Sequence, residues 1–182
     1  RAASFSDAQK AVLDDMKKKF PQQTEPMLCR YLLRHGFDEE QAAKAIQHFL
    51  DWRSQYGEVT IDDIGESAIR LGMVYTFGVS KLGVPVLIVR TGNLQLDKIA
   101  SLDEIMRFNV FFIERVLRVT PHECYTVIFD YQGISMSNIN FSWLRDLLRV
   151  WNDYYPECAN VEYFINMPFL FRALWATCKP FL

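Results

Sequence analysis

The stretch NVEYFINMPFLF, Asn160–Phe171, opens like a buried strand and ends unlike one. Val161, Tyr163, Phe164 and Ile165 are strand formers. Asn166, Met167 and Pro168 then intervene, and the chain turns apolar again. Pro168 suits a first helical turn, where its missing N–H would be unpaired anyway. Asn166 can satisfy backbone groups where a strand leaves a sheet. The stretch therefore reads as a strand running directly into a helix, and segments upstream repeat that order.

Tyr125–Asp130 is a third strand of this texture, followed by the loop YQGISMSN and a helix from its cap Asn140 to about Trp151. Ser101-x-x-Glu104 is a capping box that opens a helix to about Val119. Met73–Val79 and Val84–Arg90 are β-rich and separated by the hairpin-length turn SKLG. Strands alternating with helices imply a mostly parallel sheet with crossover helices. VPVLIV and YTVIFD are apolar at both parities, as expected of strands buried on both faces.

The first 57 residues differ. Ser6–Phe20 has Val12, Leu13, Met16 and Phe20 at helical spacing. Thr24 caps a second helix with Pro26 in its first turn. Asp38 caps a third, with Gln41 completing a capping box and Gly57 ending it. GEVTIDDIG links this small helical unit to the sheet. The expected fold class is α/β, with an N-terminal helical unit over 1–57 and a mixed, mostly parallel sheet over 58–182.

Composition narrows function. Half of the 182 residues are hydrophobic and 14% are aromatic, ample for a core. Twenty basic residues against 22 acids, net −2, give no reason to expect a nucleic-acid surface. Cys29, Cys124, Cys158 and Cys178 lack CxxC spacing and only three histidines accompany them, so no zinc site is expected. Scattered cysteines fit a reducing compartment. No 18-residue uncharged apolar run is present, and the first ten residues do not resemble a signal peptide.

Catalytic motifs are missing as well. GxxxxGK[ST], GxGxxG and GxSxG do not occur. Cys124 reads as a buried small hydrophobe. Asp130, at a strand's C-terminal end, is the best-placed acid, but DYQG is also turn chemistry. His35 reads as a partner of a helix C-terminus, and Trp143, Leu144, Leu147, Leu148 and Trp151 as a core stripe. No enzyme and no cofactor are expected; the aromatic bulk favours a binding fold for an apolar ligand.

Four segments, in order, resemble the CRAL-TRIO lipid-binding domains of the phosphatidylinositol- and tocopherol-transfer type: CRYLLRHGFDEEQAAKAIQHFLDWRSQYG, GVPVLIVRTG, YTVIFDYQGIS, and the final run from YYPE through INMP to KPFL. The resemblance implies one bound lipid or similar hydrophobe, exchanged with membranes by a cytoplasmic, peripherally associating protein. Each buried CH₂ of such a ligand contributes ~0.8 kcal/mol, so a chain of about 16 carbons gains on the order of 10 kcal/mol. Strand alternation puts Tyr125, Val127 and Phe129 on one face. By resemblance that face, with Leu87 and Val89, looks into the cavity, and Glu157 and Tyr163 join the expected ligand-binding set. Glu157 is expected mainly to bond polar groups at its helix-to-strand turn.

Some positions depart from the family pattern. His35 stands where phosphoinositide-binding members have an arginine, and Val84 replaces the arginine of Gly-Arg-Pro-Val. Tyr125 and Val127 replace small hydroxyl residues that touch a phospholipid head. The head site therefore carries over only in part. Family members continue past Lys-Pro-Phe-Leu with a lid helix and a further strand, whereas this sequence stops at Leu182. An unlidded cavity would expose apolar surface for further chain or a protein partner to cover. The competing expectation is thus a CRAL-TRIO-like interaction or scaffold module without lipid exchange.

Overall fold

The computed structural model describes residues 5–94, 101–135 and 140–169. Three helices come first: α1 (Asp7–Lys19), α2 (Glu25–Arg34) and α3 (Glu39–Tyr56). Their caps are local chemistry. Ser6 and Gln9 form a reciprocal capping box, Thr24 accepts from the Met27 N–H, and Asp38 accepts from the Gln41 N–H. Leu13, Met16, Leu28, Leu32, Ala42 and Ile46 close a small core of their own.

The linker GEVTIDDIG carries a 3-10 turn over Ile61–Asp63, and a short helix α4 (Glu66–Arg70) follows it. The Thr60 N–H and hydroxyl both donate to Asp63, at 2.7 and 2.8 Å, and so start the turn. Strands β1 (Val74–Val79) and β2 (Pro85–Arg90) form the antiparallel hairpin. Helix α5 (Leu102–Arg118) leads to β3 (Tyr125–Asp130), and α6 (Phe141–Tyr154) leads to β4 (Ala159–Ile165). Ser101 and Asn140 cap the two crossover helices as their positions suggested. The helix expected after Pro168 falls largely outside the described residues.

The sheet has the order β1-β2-β3-β4, with β2, β3 and β4 mutually parallel. Both crossovers step in the same direction along it. A right-handed connection, the near-universal hand for this unit, then puts α5 and α6 on the same face. The main core agrees: Leu87, Tyr125 and Val127 share one buried cluster with Ile105, Phe108 and Ile113 of α5 and Trp143 and Leu147 of α6. Among the described residues helices pack one face in this core; on the other face Thr126 is buried and its neighbours Val86, Ile88 and Ile128 are half-buried.

The helical unit is clamped to this body by polar groups. Arg30 donates to the Glu123 carboxylate at 2.6 Å and to its carbonyl at 3.1 Å. Tyr31 donates its hydroxyl to the Tyr154 carbonyl at 3.0 Å. Glu114 of α5 takes Arg53 at 2.9 Å on one oxygen and the Tyr155 hydroxyl at 2.8 Å on the other. Trp52 stacks on Tyr154 with ring centroids 4.1 Å apart. Breaking one partner of such a half-buried charge pair leaves the other unpaired, so these contacts fix orientation as much as they add stability.

Candidate functional site

Side chains alternate across a strand, so the strand register sorts each residue to a face. Leu87 pairs with Val127, Val89 with Phe129, and Phe129 with Phe164. This is the helix-covered face: Val127 is 2% exposed, Leu87 5%, and the Phe129 ring lies 6.2 Å from that of Trp151 on α6. Leu87, Val89, Tyr125, Val127 and Phe129 were expected to line a cavity. The structure buries Leu87, Tyr125 and Val127 in the core and packs Val89 and Phe129, partly buried, against it. Which parity meets the helices depends on crossover hand and strand order, and a sequence apolar at both parities does not encode that choice locally.

The opposite face is built from Val86, Ile88, Thr126, Ile128, Val161, Tyr163 and Ile165, with Tyr75 of β1 beside Ile88. Val86, Ile88 and Ile128 are only half-buried, Tyr163 is 52% exposed and Ile165 43%. Thr126 is buried, between Val86 and Val161 in the register. Among the described residues no helix joins this face in a common core. Apolar area kept out of a core needs another cover, since burying a side chain of this size contributes about 1.5–3 kcal/mol. Of the seven expected residues, Tyr163 alone lies here. Glu157 lies off the sheet, exposed in the α6–β4 turn with φ +55°.

The face becomes polar at the C-terminal ends of its parallel strands. Arg90 and Asp130 are register partners there, and the Arg90 guanidinium lies 5.5 Å from the centre of the Tyr75 ring. Asp130 does serve turn chemistry, accepting the Gln132 N–H at 3.0 Å. Its same oxygen also accepts the Asn166 side-chain amide at 2.9 Å. That amide, expected to satisfy backbone groups, ties β4 to β3 through a carboxylate. The Asn166 bond first, and the Gln132 N–H second, hold the Asp130 carboxyl below the usual carboxylate range. Gly92 is required nearby, because a Cβ there would overlap the Gln132 carbonyl as the turn after β2 meets the turn after β3.

A second concavity lies between the units. Tyr31, Arg34, His35, Ala45, His48, Asn152, Asp153 and Pro156 surround about 210 Å³. Its basic and acidic groups are mixed and it adjoins the C-terminus of α2, which disfavours a bound anion. His35 is the C-cap residue of that helix, its backbone N–H donating to the Tyr31 and Leu33 carbonyls. Cys158 is buried and its thiol is pushed up to about 12 by loss of hydration, and burial likewise raises Cys124. Neither thiol is set up as a nucleophile. The described residues contain no group of three or more metal-type ligands and no helix long and apolar enough to cross a membrane.

Comparison with known proteins follows the same segments. The profile of the family described as CRAL/TRIO domain matches residues 69–182. The phosphatidylinositol/phosphatidylcholine transfer protein SFH7 of Arabidopsis thaliana is 32% identical over 178 residues, covering 86% of this chain and 32% of that protein. SFH12, a phosphatidylinositol/phosphatidylcholine transfer protein of the same plant, is 31% identical over 178 residues, with 86% and 33% covered. The chain thus spans about a third of the length of these curated relatives. Among solved structures, the crystal structure of Sfh5 superposes with a TM-score of 0.75 at 17% identity, covering 97% of this chain and 77% of that one. That likeness speaks to the fold.

Proposed function

This chain belongs to the CRAL/TRIO domain family, and from that premise we propose that it binds one lipid on the open face of its sheet and moves it between membranes. The observation that carries the reading is the apolar face of Val86, Ile88, Ile128, Val161, Tyr163 and Ile165, which no helix among the described residues joins in a common core. Two crossovers of one hand cover the other face with α5 and α6, which leaves this one for a ligand. Names of the relatives support the ligand class, since SFH7 and SFH12 are phosphatidylinositol/phosphatidylcholine transfer proteins.

The order of groups along the face suits an amphiphile. Acyl chains lie over the aliphatic middle, where each buried CH₂ contributes ~0.8 kcal/mol. The head lies toward Arg90 and Asp130, where a guanidinium can face a phosphate. No bond is made or broken in such a cycle. The protein meets the membrane at its surface, takes up a lipid and returns it.

Native mass spectrometry of the purified protein tests the reading. A bound mass of several hundred daltons, released by denaturation and identified as a phospholipid, is the expected result. A bare mass that stays bare after incubation with phospholipid vesicles would favour an interaction module whose open face is covered by protein.

A further inference from the structure

We propose that the tip of the β1–β2 hairpin inserts into an anionic lipid bilayer and anchors the protein during exchange, an inference that rests on the lipid-carrier reading. Phe77, Val79 and Leu82 are 74%, 70% and 65% exposed, three large apolar side chains within six residues. Their exposure is built into the turn. The Ser80 N–H donates to the Val84 carbonyl at 2.8 Å, the Gly83 N–H to the Ser80 carbonyl at 2.9 Å, and the Leu82 N–H to the Ser80 hydroxyl at 3.2 Å. Between Thr76 and Val79 the register shifts, and Gly78 takes φ +63°. Such an irregularity re-aims side chains and ends regular pairing.

The charge pattern identifies the occupant. The tip's one charge is Lys81, and no acidic residue occurs from Ser67 to Leu96, in a chain whose acids outnumber its bases. Apolar side chains flanked by a lysine match the boundary between acyl chains and anionic head groups, where the amine remains in the head-group layer. A second copy pairing with β1 fits less well. That edge strand is interrupted at Gly78, and an irregular edge is a poor template for strand addition. Exposed apolar clusters on a water-soluble body mark interaction sites, and this one has the composition of a membrane anchor.

The test is sedimentation of the protein with phosphatidylcholine vesicles, with and without phosphatidylserine, alongside native mass spectrometry for bound lipid. Val79→Ser combined with Leu82→Ser should reduce vesicle partitioning by about tenfold or more. Lys81→Glu should reduce it by about fivefold or more, on phosphatidylserine vesicles only. Circular dichroism and bound-lipid content should stay at wild-type values, because none of the three side chains belongs to the core or the open face. Unchanged partitioning in the folded variants would overturn the hairpin anchor. So would a wild-type protein that carries lipid yet ignores vesicles, or a hairpin-dependent dimer without vesicle binding; these leave the lipid-carrier reading standing. Hairpin-dependent vesicle binding by a protein that never holds lipid would keep the anchor and defeat that reading.

Discussion

The two faces of this sheet are made from the same strands, one residue out of step, and they meet different fates. Leu87, Val127 and Tyr125 are sealed against α5 and α6. Val86, Ile88 and Ile128, their immediate neighbours along the chain, remain half-buried. Both faces are comparably aliphatic, so composition does not separate them. Topology does: strands added in one direction through right-handed crossovers put every crossover helix on one side. Apolarity on the other side is then not explained by the described core, and the proposed lipid would cover it.

The sharpest way to break this comparison is truncation on either side of it. Leu87→Ala should lower stability by about 2–5 kcal/mol, the range for a buried leucine that leaves a cavity. Ile88→Ala should cost about 1 kcal/mol, since much of its surface is not enclosed by the core. Urea denaturation of the two variants reads the difference directly. Equal losses would mean the faces are equally packed.

Enlargement should give a smaller contrast on the helix side. Val127→Trp should destabilise by about 1–3 kcal/mol through overpacking against α5 and α6. Its thermal transition should fall, while any loss of lipid uptake should only follow the loss of folded protein.

The polar end of the open face offers the smallest effect. Asn166→Ala removes one hydrogen bond to Asp130, worth about 1 kcal/mol near neutral pH. The Asp130 carboxyl is lowered in the fold, so its contribution is present above the ordinary carboxylate pKa and is lost as pH falls through the lowered value. The gap between variant and wild type should therefore close on acidification. A gap of constant size from neutral to acid pH would show that the carboxylate is not what Asn166 stabilises.

Much of this architecture was legible in local chemistry. Thr24, Asp38, Ser101 and Asn140 announced four helix starts, Gly57 a stop, and SKLG a hairpin, because caps and turns are decided within a few residues. Asp130 stood out as turn chemistry for the same reason. Which face the helices cover was not legible: Tyr125, Val127 and Phe129 were expected to face a cavity, and they lie on the helix-covered side. Parity relative to the helices is a property of the whole sheet, and both parities of VPVLIV and YTVIFD are apolar. The Asp130–Asn166 bond joins residues 36 apart, and Arg30 reaches 93 residues along the chain to Glu123. Each residue was visible alone; the pairings arise only when β3 lies beside β4 and α2 meets the loop before β3.

The most direct test compares transfer of a fluorescent phospholipid from vesicles to wild-type protein and to Ile128→Trp, with circular dichroism and thermal melting on both. Ile128 lies at the centre of the open face, so a tryptophan there should abolish uptake with the fold intact. Wild-type uptake by a folded Ile128→Trp protein would contradict the claim that this face holds the lipid.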